Sequence, residues 1–279
     1  NLRHSMKAKK TLFVAQEMTP YVPETELAAW GRKLPQLTQE GGREIRTFMP
    51  KWGIINERRN QLHEVIRLSG MNLVVDDTDH PLIIKVASIP SARIQIYFID
   101  NDEFFTNHQM TCDENGKEYD TNAERACFYA LGVLETVKKL RWVPDVIHCQ
   151  GWISSFIPMF IKTIYAEEPC FRECRTVYTP SHAEMCAPLP QNMNGILDYS
   201  GVPAAQALEG IEDCDNMQIL NRMGIKWADG TAFISADDAL KLVAEKFGKP
   251  VLEPKDATEW GTAYPEFYDL VCESSNEDA

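Results

Sequence analysis

A chain of 279 residues has room for one large α/β domain or two small ones, and its 44% apolar content can supply a sizeable core. With 41 acidic against 28 basic side chains the net charge is −13, which argues against a general binder of nucleic acid or of an anionic membrane. No apolar stretch is long enough to span a bilayer, so neither nucleic acid nor membrane is expected as a partner. The eight cysteines are scattered and often sit in apolar runs such as Ile147-His148-Cys149, the pattern of free thiols in a reducing, cytoplasmic setting. Cys170 and Cys174 could share a helix face, but no second pair with zinc spacing accompanies them; no metal and no cofactor are expected. Residues 1–5, ahead of Met6, read as foreign to the natural start, and no signal-peptide pattern follows.

In chain order, Thr11-Leu12-Phe13-Val14-Ala15 is a short apolar run, as expected of a strand covered on both faces. A turn punctuated by Pro20 and Pro23 follows, and from Thr25 onward Leu27, Trp30 and Leu34 recur at helical spacing, with Glu24 and Glu26 near the N-terminal end. This is the first strand–loop–helix unit of a doubly wound sheet, where ligands bind at the strand's end. A phosphate-binding turn would carry glycines, and this one has none between Thr11 and Trp30. Glu44–Met49 is a second strand. Between 61 and 99, the runs Glu64–Leu68, Leu82–Val86 and Ile94–Ile99 predict short strands forming a β-hairpin elaboration, inserted or returning into the sheet. Asp102–Asn107 is a single helical turn. Residues 121–140 carry a broad apolar stripe for a helix; 144–149 and 175–178 are strands, with a helix over 152–165 between them. Residues 180–215 read as a loop-rich connection with short helices, Ala232–Ile234 as the last strand, and 235–247 as a capped helix. From 251 to 279 a C-terminal tail is expected, mobile at its acidic tip.

Several of these blocks together resemble the N-terminal domain of bacterial glycogen synthases and starch synthases. They are Lys10–Glu17 with Pro20, Leu27-Ala28 with Leu34-Pro35, and Tyr119 followed by Asn122–Arg125. Further along come Pro144–His148 with Trp152, then Gly224-Ile225, Ala228-Asp229 and Ser235. They stand in the family's order over about 7–250, whereas any one alone would be weak. The resemblance implies an α/β fold: a doubly wound, mainly parallel Rossmann-like sheet, the single N-terminal half of a GT-B glycosyltransferase. It also implies transfer of glucose from ADP-glucose to an α-1,4-glucan across a cleft between two such domains.

The departures fall on the chemistry. The family's Lys-Thr-Gly-Gly-Leu-Ala-Asp stands here as Pro23-Glu24-Thr25-Glu26-Leu27-Ala28-Ala29, which removes an ammonium and two glycines and adds carboxylates. Its Asp-Trp-His is Gly151-Trp152-Ile153, its following His-Asn is Tyr178-Thr179, and its Asn-Phe-Leu-Lys asparagine falls at Ile219 in an ungapped reading. Nothing after Pro250 resembles the donor domain. Transfer needs preorganised charge for a leaving diphosphate and an oxocarbenium-like sugar, so an inactive isolated chain is expected and no catalytic residue is assigned.

Five residues are candidates for substrate binding. Glu17 matches a cleft carboxylate near the sugar sites, or else braces the turn. His148 contacts a ligand from its strand end, or is a satisfied core histidine. Trp152 stacks on a sugar, or anchors helix to sheet. Asn122 and Arg125 hold the cleft rim, or make structural hydrogen bonds and an ion pair. His182 near Cys186 has no supporting motif for nucleophilic chemistry. The readings that remain are a degenerate synthase domain in α-glucan metabolism, the acceptor half of a split transferase with a separate donor-domain partner, and a non-catalytic module for an α-glucan or sugar ligand. Met18, Tyr21, Val22, Trp152 and Ile153 are expected at the strand ends as an apolar face needing cover, by the 180–215 connection, a partner or, first, a homo-oligomer.

Overall fold

The computed structural model describes residues 9–182 and 185–274; the leading residues 1–5 and the extreme acidic tip, for which expectations were stated above, lie outside them. The chain runs β1 (Lys10–Val14), α1 (Glu26–Glu40), β2 (Glu44–Pro50), β3 (His63–Glu64), β4 (Asn72–Val75), β5 (Thr78–Pro81), β6 (Ile83–Ile89) and β7 (Ile94–Asp100). It continues with α2 (Asn122–Lys139), β8 (Val146–Gln150), α3 (Phe156–Lys162), β9 (Arg175–Thr179), α4 (Met193–Ser200), α5 (Ala204–Ala207), α6 (Ile219–Trp227), β10 (Gly230–Ala232), α7 (Asp238–Lys246), β11 (Val251–Leu252) and α8 (Trp260–Ser274). No helix among the described residues is long and apolar enough to cross a membrane.

Among the described residues nine strands form one sheet, ordered β11-β10-β9-β8-β1-β2-β7-β6-β3. Every pairing from β11 through β7 is parallel; β6 and β3 are antiparallel additions at one edge. The elaboration expected over 61–99 takes both forms: β6 and β7 return into the sheet, while β4 and β5 pair only with each other. The run at 64–68 is strand only at its start, since pairing with β6 ends at His63–Glu64 and the chain tightens into a 3₁₀ turn over Ile66–Leu68.

Both faces of the central strands are covered, and their side chains alternate between two cores as a period of two demands. From β1, Leu12 and Val14 join the core that includes Ala126, Tyr129 and Ala130 of α2. Phe13 points the other way, into a core shared with Leu27, Trp30 and Leu34 of α1 and Tyr264, Phe267 and Tyr268 of α8. α1 starts where the Thr25 hydroxyl accepts from the Ala28 N–H at 3.0 Å, the sequence-legible cap. α6 carries Gly224 in its middle, which hides it in the sequence. A Cβ there would lie 2.5 Å from the Tyr178 ring, so only glycine lets this helix pack on β9.

Two expectations need correction. Ala232–Ile234 is not the last strand: β11 pairs in parallel with β10, Thr231 opposite Val251. The C-terminal tail expected from 251 carries β11 and α8, and α8 lies across α1 and β9 and buries Tyr264, Phe267, Tyr268 and Val271. The apolar strand-end face is also closed within the chain. Met18, Tyr21, Val22, Trp152 and Ile153 are all buried, with Tyr21 edge-on to Phe98 at 5.0 Å and the Trp152 N–H donated to Ser181 Oγ at 3.2 Å. Neither a second copy nor a partner is needed to cover them.

If α8 is integral, Tyr268→Ala should cost about 3–5 kcal/mol in denaturant unfolding, as for other buried aromatic truncations. A peripheral helix would give a change within about 0.5 kcal/mol.

Candidate functional site

The sheet order turns at β1. From β1 the chain builds outward to β2 and β7 on one side, then restarts at β8 and builds outward to β11 on the other. The crevice beyond the carboxyl ends of β1 and β8 is therefore the switch point, where open α/β sheets bind ligands. One side chain ties the two ends together. Gln150, the last residue of β8, accepts on Oε1 from the N–H groups of Gln16 (2.7 Å) and Glu17 (3.2 Å), and its Nε2 donates to the Leu27 carbonyl at 3.2 Å. Gly31 lets α1 close on this knot: a Cβ there would be 2.4 Å from the Glu17 carbonyl oxygen. Gly151 adopts φ +80°, and a Cβ would strike Gln16 Oε1 at 2.2 Å, so this turn needs glycine twice over.

A cleft of about 300 Å³ opens beside the knot. Gln16 and Glu17 line it from the β1 end, Thr25 to Leu27 from the head of α1, Ser181 and His182 from beyond β9, and Ile234 and Ser235 from beyond β10. The Glu17 carboxylate is oriented from two sides, by Thr25 Oγ1 at 3.1 Å and Gln16 Nε2 at 3.4 Å. Burial raises its pKa, outweighing the two hydrogen bonds that lower it. Among the described residues no Lys or Arg lines the cleft, and His182 faces Asp237 at 3.6 Å. Behind the lining, Ser181 is held by Asn221, whose Oδ1 accepts from Tyr178 OH (2.7 Å) and the Ser181 N–H (3.3 Å) while its Nδ2 donates to the Ser181 carbonyl (3.0 Å).

Of the five candidate residues, Glu17 alone reaches this cleft. His148 is buried on the α8 side of β8, with Nδ1 2.7 Å from Tyr268 OH and Nε2 2.7 Å from Thr179 Oγ1. Its ring stacks on Tyr264 (5.8 Å) and meets the edge of Trp30 (5.1 Å), and burial lowers its pKa to about 3. Trp152 is fully buried, its Nε1 donating to Thr111 Oγ1 at 3.1 Å and its ring 6.0 Å from Trp52.

Asn122 and Arg125 make the hydrogen bonds of a packed helix start, with no ion pair among the described residues. The Arg125 guanidinium donates to the carbonyls of Phe104 (2.7 Å), Met110 (2.7 Å) and Gln109 (3.1 Å) and to Asn122 Oδ1 (2.8 Å), beneath the Trp52 ring at 4.9 Å. Burial lowers its pKa to about 9, which still leaves it charged at neutral pH. Its fan of donors pins the 104–110 segment to α2.

The residues missed in the sequence are Gln16, Gln150, Ser181 and Asn221. Gln150 ends β8 and Gln16 stands two residues past the end of β1, and a lone amide at such a point is a readable signal once the strands are known to be neighbours. Asn221 lies two residues past the ungapped position at Ile219.

The family model described as the starch synthase catalytic domain matches residues 10–254. Glycogen synthase from Chlorobium luteolum is 34% identical over 229 residues, 78% of this chain and 47% of that protein. Glycogen synthase from Chlorobaculum tepidum is 32% identical over 270 residues, 90% of this chain and 54% of that one. The chain thus spans about half the length of the curated relatives it matches. A solved structure of the catalytic domain of Starch Synthase IV from Arabidopsis thaliana, bound to ADP and acarbose, shares the fold with a TM-score of 0.69. That match covers 90% of this chain and 52% of the plant chain at 16% identity.

The His148 environment sets a pH dependence. Its folded pKa lies below the unfolded value of about 6.5, so the folded state binds fewer protons. Stability is full above that value and falls as pH drops toward the folded one, by about 2 kcal/mol between about pH 7 and pH 5. His148→Gln should be less stable at neutral pH but show a pH slope flatter by about that amount in parallel urea titrations. Equal slopes would contradict the buried neutral imidazole.

Proposed function

Because the chain belongs to the starch synthase catalytic domain family, we propose that its switch-point cleft serves α-glucan metabolism by holding a sugar or glucan segment, not a nucleotide diphosphate. The observation that carries this reading is the oriented Glu17 carboxylate in a cleft with no Lys or Arg among its described lining residues. Sugar hydroxyls are donors and match a carboxylate and the hydroxyls of Ser181 and Ser235. Diphosphates need cations or free N–H groups. At the head of α1 the Ala28 N–H is already taken by Thr25, and Glu24 and Glu26 set negative charge on the approach. About 300 Å³ is also at the lower end of small-molecule pockets, suited to a sugar unit more than to a nucleotide sugar.

The same cleft argues against glucosyl transfer by these residues unaided. Stabilising a departing diphosphate takes preorganised donors, each contributing about 2.7–4 kcal/mol to the barrier. The position matching the family's sugar-contacting histidine is Ile153, buried in the core. The scatter of eight cysteines through apolar runs fits a reducing compartment, and we place the protein in the cytoplasm on that ground.

Calorimetric titration separates the two ligand classes. Maltooligosaccharides should bind saturably and lose at least about tenfold in affinity, about 1.4 kcal/mol, on Glu17→Gln. ADP should show no saturation in the micromolar range. Burial holds the Glu17 pKa up, so the ionised carboxylate lowers stability as pH rises from the unfolded value through the folded one. Glu17→Gln should therefore not lower Tm at neutral pH, which separates lost binding from lost folding. Low-micromolar ADP binding would overturn the reading.

Radiolabelled ADP-glucose should give no transfer to glycogen above background with this chain. Transfer abolished by Glu17→Ala would show that the cleft is catalytic.

A further inference from the structure

Among the polar side chains that line the cleft, the fold leaves His182 half used. Its backbone is delivered there by a fixed neighbour. Ser181, just beyond β9, donates its N–H to Asn221 Oδ1 at 3.3 Å and accepts from Asn221 Nδ2 at 3.0 Å on its carbonyl. His182 follows at the rim of the cleft, with 34% of its side chain exposed. One edge of the ring is occupied: Nδ1 lies 3.6 Å from Asp237 Oδ2. Asp237 is itself anchored as the cap of α7, its Oδ1 accepting the Leu240 N–H at 3.0 Å. Asp237 is not one of the lining residues, so the Nδ1 edge faces the wall and the Nε2 edge is left toward the opening. Among the described residues Nε2 has no hydrogen-bond partner, in contrast to His148, whose two nitrogens are both taken.

The same carboxylate decides which nitrogen holds the hydrogen. In a neutral imidazole one nitrogen donates and the other accepts. Negative charge beside Nδ1 favours the hydrogen there, which leaves a lone pair on Nε2. Glu17 is an acceptor as well, oriented by Thr25 Oγ1 and Gln16 Nε2. The two groups come from different walls, Glu17 from beyond β1 and His182 from beyond β9, with β8 between those strands. Two strand spacings set the strand ends about 10 Å apart, room for one sugar ring with a hydrogen bond on either side.

On the sugar reading given above, we propose that His182 determines the specificity of the cleft. Its Nε2 accepts a hydroxyl of the same sugar unit that Glu17 holds from the other side, and Asp237 is the positioning residue that fixes the ring and its tautomer. The Ser235 hydroxyl can turn to donate or to accept, so it fits many ligands. Two acceptors of fixed sense on different walls do not. They require hydroxyl donors on both sides of the ligand and reject a sugar in which either hydroxyl is missing or alkylated, because a polar group left without its partner costs more than an apolar contact returns.

Calorimetry with maltotriose on the whole chain is the first test. His182→Ala should weaken binding about fivefold, as for one lost hydrogen bond, and His182→Gln, whose Oε1 can still accept, should weaken it less. Asp237→Asn keeps a good cap for α7 while removing the charge, so Tm should hold and affinity should fall. The second test is the imidazole ¹⁵N spectrum at about pH 8.5, where a free imidazole is neutral; a merely structural role would not move it. The His182 signals, identified by their loss in His182→Ala, should show hydrogen on Nδ1 and a bare Nε2. Saturating maltotriose should shift the Nε2 signal, and Asp237→Asn should mix the two tautomers. Undiminished binding by His182→Ala while Glu17→Gln loses affinity, or hydrogen resident on Nε2, would overturn this inference and leave the sugar reading standing. No saturable maltotriose binding by the unaltered chain would overturn both.

Discussion

The site depends on one amide. Gln150 closes the gap between two strands that are neighbours in the sheet but separated by more than a hundred residues of chain, and it does so at the point where the strand order turns. Its single oxygen takes two successive N–H groups that would otherwise be unpaired where the chain leaves β1, and its nitrogen reaches the first turn of α1. Charged groups could do one of these jobs but not both, because the knot needs acceptor and donor on one buried side chain. Gly31 and Gly151 follow from it, each conceding the space that the amides occupy.

Around this knot the protein accepts an electrostatic cost. Glu17 is held in a partly desolvated position that favours its neutral form, oriented by a hydroxyl and an amide with no cation nearby among the described lining residues. A group kept where it is unfavourable for folding fits the binding role proposed for this cleft, because the surroundings must enforce what packing alone would not select. The contrast with Lys85, Glu57 and Asp100 is instructive. There the burial of charge is met by direct pairing at 2.6 and 2.8 Å, which ties β6 to its neighbours.

The second core reaches completion only when the chain's last helix returns. α8 supplies the hydroxyls that satisfy His148 and Trp30, at 2.7 and 3.1 Å, and the aromatic rings that cover Phe13. A histidine in the middle of the sheet can stay neutral because that polar pairing is provided from far along the chain. The same packing explains why residues beyond 250 cannot be treated as an appendage.

The sequence by itself determined the local and the repetitive. The apolar runs of β1, β8 and β9 announce strands covered on both faces, Thr25 announces the start of α1, and Asp237 caps α7 with its carboxylate on the Leu240 N–H. The ordered blocks from Lys10 to Ser235 announce the family, and with it the doubly wound sheet and a cleft at the end of β1 that includes Glu17. Tertiary structure decided which polar residues face that cleft. His148, Trp152, Asn122 and Arg125 have side chains suited to a sugar, but each finds its partners inside the protein: Tyr268 and Thr179, Thr111, and a fan of backbone carbonyls. The physical reason is range. Helix caps and strand periodicity are set by neighbours within a few residues. Whether a polar side chain is spent on the fold or left for a ligand depends on partners as far as 120 positions away, and no local pattern records where those will pack.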